Sequence, residues 1–176
     1  MSRVKSSRLA ELHERIATFH IRVEGKYQGA MACRRGCSDC CHQHLSVYAF
    51  EFERIKHAVD RLQEDAKADL RDRLSVGASD PRCPLLDERG ACRVYEARPT
   101  ICRSHGLPIH VGDPPRRDVC PLNFQDGPAA HDLPDEDVLN VNSVNAILGV
   151  LDHVEGDGAG KRIALIDGLS QHLAAD

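Results

Sequence analysis

The chain has 176 residues, of which 41% are hydrophobic and 28% charged, so we expect one globular domain, or one domain with an appendage. Its net charge of −4 and isoelectric point of about 6.2 exclude a strong electrostatic attraction to nucleic acid or to an acidic membrane, and we predict neither partner. The N-terminus lacks the apolar stretch of a signal peptide, and no apolar run approaches the roughly 18 residues of a membrane span. We therefore expect a cytoplasmic protein.

Helical periodicity is the main pattern in the first half of the chain. One apolar stripe predicts an amphipathic helix that ends before Gly29. Its apolar residues are Leu9, Leu12, Ile16 and Phe19. A second stripe runs from Ile55 to Leu74 and fits either one long helix or two helices joined near Gln63, with Ser46 as the expected N-cap.

The middle of the chain has shorter elements. The segment from Cys83 to Tyr95 predicts a small β-hairpin around an Asp-Glu-Arg-Gly turn. Pro99 suits the first turn of a short helix, which Gly106 is expected to end. Residues 125–137 are rich in glycine, proline and acidic residues, as is typical of a linker.

Two further helical stripes, Val141–Leu151 and Ile163–Leu173, predict a C-terminal helical hairpin. The expected fold is therefore mainly α with a small β-hairpin, in which an irregular, cysteine-rich, metal-stabilised domain precedes that hairpin. We assign residues 1–122 to a metal-binding domain that includes the N-terminal helix, residues 123–137 to a linker, and residues 138–176 to a helical appendage.

Eight cysteines provide the strongest functional signal. Because a reducing cytoplasm keeps thiols free, clustered cysteines there more often bind metal than form disulfides. Four of them lie within nine residues of a polar stretch, so four thiolates can converge with little loss of chain entropy. Thiolate donors select zinc or iron–sulfur clusters over magnesium or calcium. The four residues are Cys33, Cys37, Cys40 and Cys41.

The other four cysteines are dispersed, and each is expected at a turn, a strand end or a helix end. They are Cys83, Cys92, Cys102 and Cys120. We predict that these are metal ligands too, with ordinary buried thiols as the alternative. Because adjacent side chains diverge, Cys40 and Cys41 are expected to use different neighbours, which predicts that the two sets meet in one metal region. A vicinal disulfide between these two residues is the redox alternative.

Arginines and histidines accompany the cysteines. The arginines either donate hydrogen bonds to thiolate sulfur or form a solvated basic face. They are Arg34, Arg35, Arg82, Arg93, Arg98 and Arg103. The histidines are further candidates for metal ligation or acid–base chemistry, although a single loop histidine more often does neither. They are His42, His44, His105 and His110.

The motifs resemble those of the YkgJ-like cysteine-cluster family, the CxxCxxCC type of zinc- or iron-chelating domain, over roughly residues 30–122. The matching segments, in order, are Cys33-Arg-Arg-Gly-Cys37-Ser-Asp-Cys40-Cys41, Cys83-Pro-Leu, and Gly90-Ala-Cys92-Arg-Val-Tyr95-Glu-Ala-Arg98-Pro-Thr-Ile-Cys102-Arg. The chain differs from the commonest form of the first motif, because three residues separate Cys33 from Cys37 where two are usual. The resemblance implies metal chelation, and one related group resembles flagellin lysine methylases.

We therefore expect a zinc- or iron-chelating protein whose metal is structural, stored or sensed. The alternative is an iron- or iron–sulfur-dependent enzyme of redox or methyl-transfer-like chemistry, for which no catalytic residue is identified. The spacing Cys33-x-x-x-Cys37-x-x-Cys40 occurs in radical S-adenosylmethionine enzymes, but Cys41 follows it and the chain is short for a barrel of about 200 residues or more. A protein-interaction adaptor that uses the C-terminal helices is a third hypothesis, with an unknown protein partner.

Overall fold

The computed structural model describes residues 7–34 and 36–174, so the first six residues of the predicted metal-binding domain and Arg35 lie outside the described residues. Within the described residues, contacts divide the chain into two compact units. Unit 1 is formed by residues 7–33 and 102–158. Unit 2 is formed by residues 34, 36–101 and 159–174.

Unit 1 is built from two long helices and a small sheet. The helices are α1 (Arg8–Lys26) and α5 (Val141–Glu155). The strands are β2 (Ile109–Val111), β3 (Arg116–Asp118) and β4 (Leu139–Asn140). Strand β2 is central, because it pairs antiparallel with β3 and parallel with β4. The sequence pattern did not predict these strands, each of which is only two or three residues long.

Helix α1 confirms the predicted N-terminal helix, which ends before Gly29. Its first turn is capped by Ser7, whose hydroxyl accepts a hydrogen bond from the Ala10 N–H at 3.1 Å. The predicted apolar stripe is buried at Leu9, Leu12 and Ile16. Hydrophobic periodicity and a polar cap therefore act together to set this helix.

Unit 2 contains the helices α2 (Ala49–Asp60), α3 (Glu64–Ser75) and α6 (Leu165–Ala174), with the strand β1 (Ser46–Tyr48) paired antiparallel to β5 (Arg162–Ala164). The apolar stripe from Ile55 to Leu74 thus belongs to two helices, with Gln63 at the N-cap position of α3. The expected N-cap role of Ser46 is wrong, because Ser46 begins β1 and Tyr48 precedes α2.

The core of unit 2 is formed by apolar side chains from its three helices and neighbouring loops. They are Val47, Phe52, Ile55, Val59, Leu70, Leu74, Leu85, Val94, Leu165, Leu169 and Leu173. Cys83 and Cys92 pack against this core as partly buried side chains. The core that supports these two cysteines is mainly aliphatic, with Phe52 as its one aromatic member.

The short helix α4 (Thr100–Ser104) forms where it was predicted, but Pro99 precedes it instead of lying in its first turn. The Thr100 N–H donates a hydrogen bond of 2.8 Å to the buried carboxylate of Glu51. The predicted hairpin between Cys83 and Tyr95 is reduced to one antiparallel bridge, which joins Leu86 and Cys92 across the expected turn. A helical pattern was expected at Ile163, but this residue lies in β5, because its backbone pairs with Val47.

The described residues confirm a mainly α fold with small amounts of strand. Among them no helix combines the length and the apolar character needed to cross a membrane. The pairing of α5 with α6 as a hairpin, the boundaries 1–122, 123–137 and 138–176, and the stabilisation by metal all stay predictions.

Candidate metal centre

All eight cysteines are described, and each is a reduced thiol of intermediate burial. The two units divide the cysteines differently from the tight cluster and the dispersed set that the sequence spacing defines. Unit 2 holds Cys37, Cys40, Cys41, Cys83 and Cys92. Unit 1 holds Cys33, Cys102 and Cys120. Unit 2 therefore combines members of the tight cluster with two members of the dispersed set.

The loop that carries Cys37, Cys40 and Cys41 has little regular structure. It contains one 3-10 turn, Asp39–Cys41, and its hydrogen bonds are mostly local, such as the 2.7 Å bond from the Cys41 N–H to the Ser38 carbonyl. None of the described residues between 34 and 46 is buried. The apolar core therefore does little to fix this loop.

One backbone hydrogen bond joins the two predicted cysteine sets inside unit 2. The Cys83 N–H donates to the Cys41 carbonyl oxygen at 2.7 Å. A second close approach lies at Gly90, where an added Cβ would stand 3.0 Å from the Gly36 carbonyl oxygen. Both glycines have positive φ, +90° at Gly36 and +75° at Gly90, which other residues adopt only with strain. Glycine at these two positions therefore lets the Cys37–Cys41 loop lie against the turn between Cys83 and Cys92.

The turn itself is held by Asp87. Its carboxylate accepts hydrogen bonds from the N–H groups of Arg89 and Ala91, each at 2.8 Å, and these bonds lower the pKa of Asp87. The Arg93 N–H closes the far side with a 2.9 Å bond to the Leu85 carbonyl. Cys92 therefore directly follows a turn whose backbone is held by several hydrogen bonds.

Burial and neighbouring charged groups change the pKa values of Cys83 and Cys92. The pKa of Cys83 is raised to about 11, mainly by burial and also by the thiols of Cys92 and Cys40, while a backbone N–H and the charge of Arg82 act in the opposite direction. The pKa of Cys92 is raised mainly by burial, although the charge of Arg98 lowers it. Cys83 therefore lies near the thiols of Cys40 and Cys92, in surroundings where its own thiolate is unfavourable without a compensating cation.

Three arginines of unit 2 that lie near cysteines in the sequence have identified contacts that do not involve sulfur. Arg82 donates to the Asp87 carbonyl at 2.6 Å, Arg93 forms an ion pair with Asp69, and Arg98 stacks on the exposed Tyr95 ring at 3.5 Å from its centroid. The buried Nε of Arg93 has no hydrogen-bond partner among the described residues, and this residue directly follows Cys92. Direct donation to sulfur stays a prediction, and Arg35 lies outside the described residues.

In unit 1 the sulfur of Cys33 lies beside the side-chain amide of Asn123. The amide nitrogen is 3.4 Å from Cys33 Sγ and donates a second hydrogen bond of 2.6 Å to the Gly106 carbonyl. The Asn123 N–H bonds to the Cys120 carbonyl at 2.9 Å. Sequence reasoning missed Asn123, because an asparagine three residues after a cysteine carries no distinctive signal. The only indication in the sequence was that Asn123 lies close to the predicted ligand Cys120.

The remaining predicted residues are more dispersed. Cys102 lies in α4, one helical turn before Gly106. His42 and His44 are exposed, His105 is half-buried, and His110 in β2 accepts a hydrogen bond of 3.1 Å from Arg117. None of these contacts assigns a ligand role to a histidine.

Across residues 7–34 and 36–174, no three His, Cys, Asp or Glu side chains are gathered in an arrangement that could hold a metal ion. The chemistry of the donor set still fits zinc or iron. Unit 2 brings five soft sulfur donors to one loop and one turn, and the thiols of Cys40 and Cys92 lie near enough to Cys83 to raise its pKa. The residues present are therefore suited to thiolate ligation, and the ligand identities stay a prediction.

Comparison with known proteins gives one family. Neither a curated protein nor a solved structure matches the chain. A family model matches residues 32–121, about half of the chain and the region that contains all eight cysteines. This match confirms the resemblance that the motifs carried. The chain therefore belongs to the CxxCxxCC family, a metal-chelating family with the description "Putative zinc- or iron-chelating domain".

Proposed function

We propose that unit 2 binds zinc or iron through thiolates and that the metal fixes the loop of residues 34–46 on the helical core. The proposed ligands in this unit are Cys37, Cys40, Cys41, Cys83 and Cys92. Cys33, Cys102 and Cys120 of unit 1 are proposed ligands as well. The observation that carries the proposal is the 2.7 Å hydrogen bond from the Cys83 N–H to the Cys41 carbonyl, because it joins the two cysteine sets.

A structural role is supported by the weak attachment of the loop. Its described residues are not buried, so hydrophobic burial supplies little of the free energy that orders it. A structural zinc site supplies an apparent binding free energy of about 10–16 kcal/mol, which is comparable to the roughly 5–15 kcal/mol stability of a whole domain. A metal is therefore a sufficient anchor for this loop.

The charge around the ligands also favours a cation. Several thiolates close together repel one another, and a divalent ion removes most of that repulsion. Arg82 and Arg98 lie close enough to lower the pKa values of Cys83 and Cys92, so they would offset the remaining negative charge. The proposal requires a reducing compartment such as the cytoplasm, where thiols stay available as ligands.

The test is hydrogen exchange on metal-loaded protein before and after removal of the metal by a strong chelator. We expect the amides of residues 36–43 to lose protection, while those of Ile55 and Val59 in α2 keep it, because the helical core does not depend on the loop. Ser38→Ala is the matched control, since it alters the same loop without removing a proposed ligand. Unchanged protection of residues 36–43 after verified metal loss would show that the metal does not order the loop.

The absorption spectrum of the same protein, purified without oxygen, distinguishes zinc in a structural role from an iron–sulfur cluster in an enzyme. Colourless protein with zinc supports the structural role. A brown, bleachable chromophore would instead support the iron–sulfur alternative and its redox or group-transfer chemistry.

A further inference from the structure

The surroundings of Cys33 differ from those of a simple loop thiol. Asn123 is 4% exposed and lies between three segments of unit 1. Its Oδ1 accepts the Ala32 N–H at 2.7 Å, and its Nδ2 donates to the Gly106 carbonyl at 2.6 Å. One side chain therefore ties the segment before Cys33 to the turn after α4.

These two backbone partners fix the orientation of the amide. If Oδ1 and Nδ2 were exchanged, two N–H donors would face each other at Ala32 and two acceptors would face each other at Gly106. In the observed orientation Nδ2 donates to Cys33 Sγ at 3.4 Å, whereas the contact from Cys33 Sγ to Oδ1 is longer, at 3.9 Å. The amide therefore presents an N–H to the sulfur.

The sulfur of Cys33 is closely packed against Gly106. A Cβ on Gly106 would lie 2.4 Å from Cys33 Sγ, so the sulfur occupies the position that a side chain would take. Phe124, directly after Asn123, has φ of +58°, and no other described non-glycine residue has a positive φ. Its N–H donates to the Ala30 carbonyl at 2.6 Å. Strained backbone held in this way is characteristic of functional sites.

We propose that Asn123 is a positioning residue, which orients the Cys33 thiolate toward metal and links it to Cys120 through its own backbone N–H. This inference rests on the proposed function. It also changes the grouping expected from sequence, because Cys33 is then linked with Cys120 of the dispersed set, although it lies next to Cys37 in the chain.

The test is titration of the full chain with Co²⁺, whose thiolate-to-metal absorption reports sulfur ligation. Asn123→Asp keeps the shape and the acceptor for Ala32, but it replaces the N–H at the sulfur with a negative oxygen. We expect Co²⁺ affinity at the Cys33 site to fall by about 10–100-fold, as is typical when an outer partner of a ligand is lost. The thiolate absorption should also shift.

Asn142→Asp is the matched control. Asn142 donates a 3.0 Å hydrogen bond to the carbonyl of Gly112, which has a positive φ of +81°, in the way that Asn123 bonds to Gly106. Among the described residues Asn142 makes no hydrogen bond to sulfur, so this variant should keep the wild-type affinity and spectrum. Asn123→Ser, which removes the amide donor without adding charge, provides the same test if Asn123→Asp does not fold. Wild-type Co²⁺ affinity and spectrum in a folded Asn123 variant would overturn the proposal.

The same Co²⁺ titration separates this inference from the proposed function. If the folded wild type binds no Co²⁺, the proposed function fails and the positioning role fails with it. If the wild type and Asn142→Asp bind Co²⁺ and the folded Asn123 variants match them in affinity and spectrum, only the positioning role of Asn123 is overturned. Weaker binding and a shifted spectrum in the Asn123 variants alone support both.

Discussion

At the scale of single residues, Gly106 is constrained both by its backbone conformation and by the nearby Cys33 sulfur, whereas Gly29 is constrained by its backbone conformation alone. Both have similar left-handed backbone, with φ of +89° and +82°. A Cβ at Gly29 would meet nothing within 4 Å, whereas one at Gly106 would meet Cys33 Sγ at 2.4 Å. The pair therefore separates the cost of backbone conformation from the cost of displacing the sulfur.

We expect Gly29→Ala to lower the free energy of unfolding by about 1–2 kcal/mol, the usual cost of left-handed backbone for a residue with a Cβ. Gly106→Ala should cost about 1–3 kcal/mol more, because the new methyl group and the sulfur cannot occupy the same space. Chemical denaturation of both variants measures the difference. Equal losses in the two variants would mean that Cys33 moves freely away from Gly106.

A second residue-scale feature is the buried Asp137 of unit 1. Its carboxylate accepts hydrogen bonds from Arg22 at 2.5 Å, from the Tyr27 hydroxyl at 2.6 Å and from Lys26. Burial alone would raise the pKa of Asp137, but these hydrogen bonds outweigh it and hold the pKa below the ordinary 3.8. The network joins α1 to the segment before β4.

Because the folded pKa of Asp137 is lowered, the stabilisation is fully present above pH 3.8 and is lost as the pH falls below that value. Asp137→Ala should lower the free energy of unfolding at neutral pH by about 1–3 kcal/mol, since it leaves the Tyr27 hydroxyl without its acceptor. The variant should also be less sensitive to acid than the wild type between pH 5 and pH 3. Chemical denaturation across that pH range tests this. If the free energy of unfolding changed with pH in the same way in both proteins, Asp137 would not be the source of the acid sensitivity.

Sequence reasoning reached some of these residues and missed others, for physical reasons. The glycine that ends α4 was predicted at Gly106, because helix ends favour a left-handed residue. That the same glycine makes room for Cys33, and that Asn123 holds the sulfur, depends on contacts between residues about 70 to 90 positions apart. Local pattern contains no information about such contacts.

At the scale of elements, α6 packs in unit 2 by way of a glycine. A Cβ on Gly168 would lie 2.6 Å from the side chain of Ile163 in β5 and 2.7 Å from the Phe52 ring in α2. Gly149 in α5 is also helical, and a Cβ there would meet nothing within 4 Å. Close packing therefore explains the glycine in α6 but not the one in α5.

We expect opposite signs from the two alanine substitutions. Gly168→Ala should lower the free energy of unfolding by about 1–3 kcal/mol through overpacking. Gly149→Ala should raise it by about 0.5–1 kcal/mol, because alanine restricts the unfolded chain and favours helix. Thermal unfolding of the two variants is sufficient to decide this. A stabilising Gly168→Ala would mean that α6 can move away from α2 at no cost.

The long helices could be predicted from sequence, and the short strands could not. Helix α1 has a strong apolar period and a serine cap, both of which are local features. The strands β1 and β5 span three residues each and pair across more than 110 positions, so their pairing comes from tertiary structure. Ile163 was assigned to a helix because its apolar spacing continues into α6, and only the pairing with Val47 places it in a strand.

At the scale of the whole molecule, the eight cysteines are divided between two compact units in a way that their spacing does not indicate. The sequence could predict metal chelation, since that follows from residue type and clustering, and the family match supports it. The meeting of the two cysteine sets was predicted from the divergence of Cys40 and Cys41 and from a break between two helices near Gln63, and Cys83 does lie beside Cys41 within unit 2. The particular backbone hydrogen bond that joins them depends on tertiary structure, which local pattern does not contain.

The most direct test of the central claim is the zinc and iron content of protein purified without oxygen, measured by mass spectrometry for the wild type and for a Cys41→Ser, Cys83→Ser double variant. Ser38→Ala serves as the control in the same loop. We predict stoichiometric zinc or iron in the wild type and the control, and loss of metal in the folded double variant. Full metal content in the double variant, or a folded wild type that takes up neither metal on reconstitution, would contradict the claim that the thiolates of unit 2 hold zinc or iron.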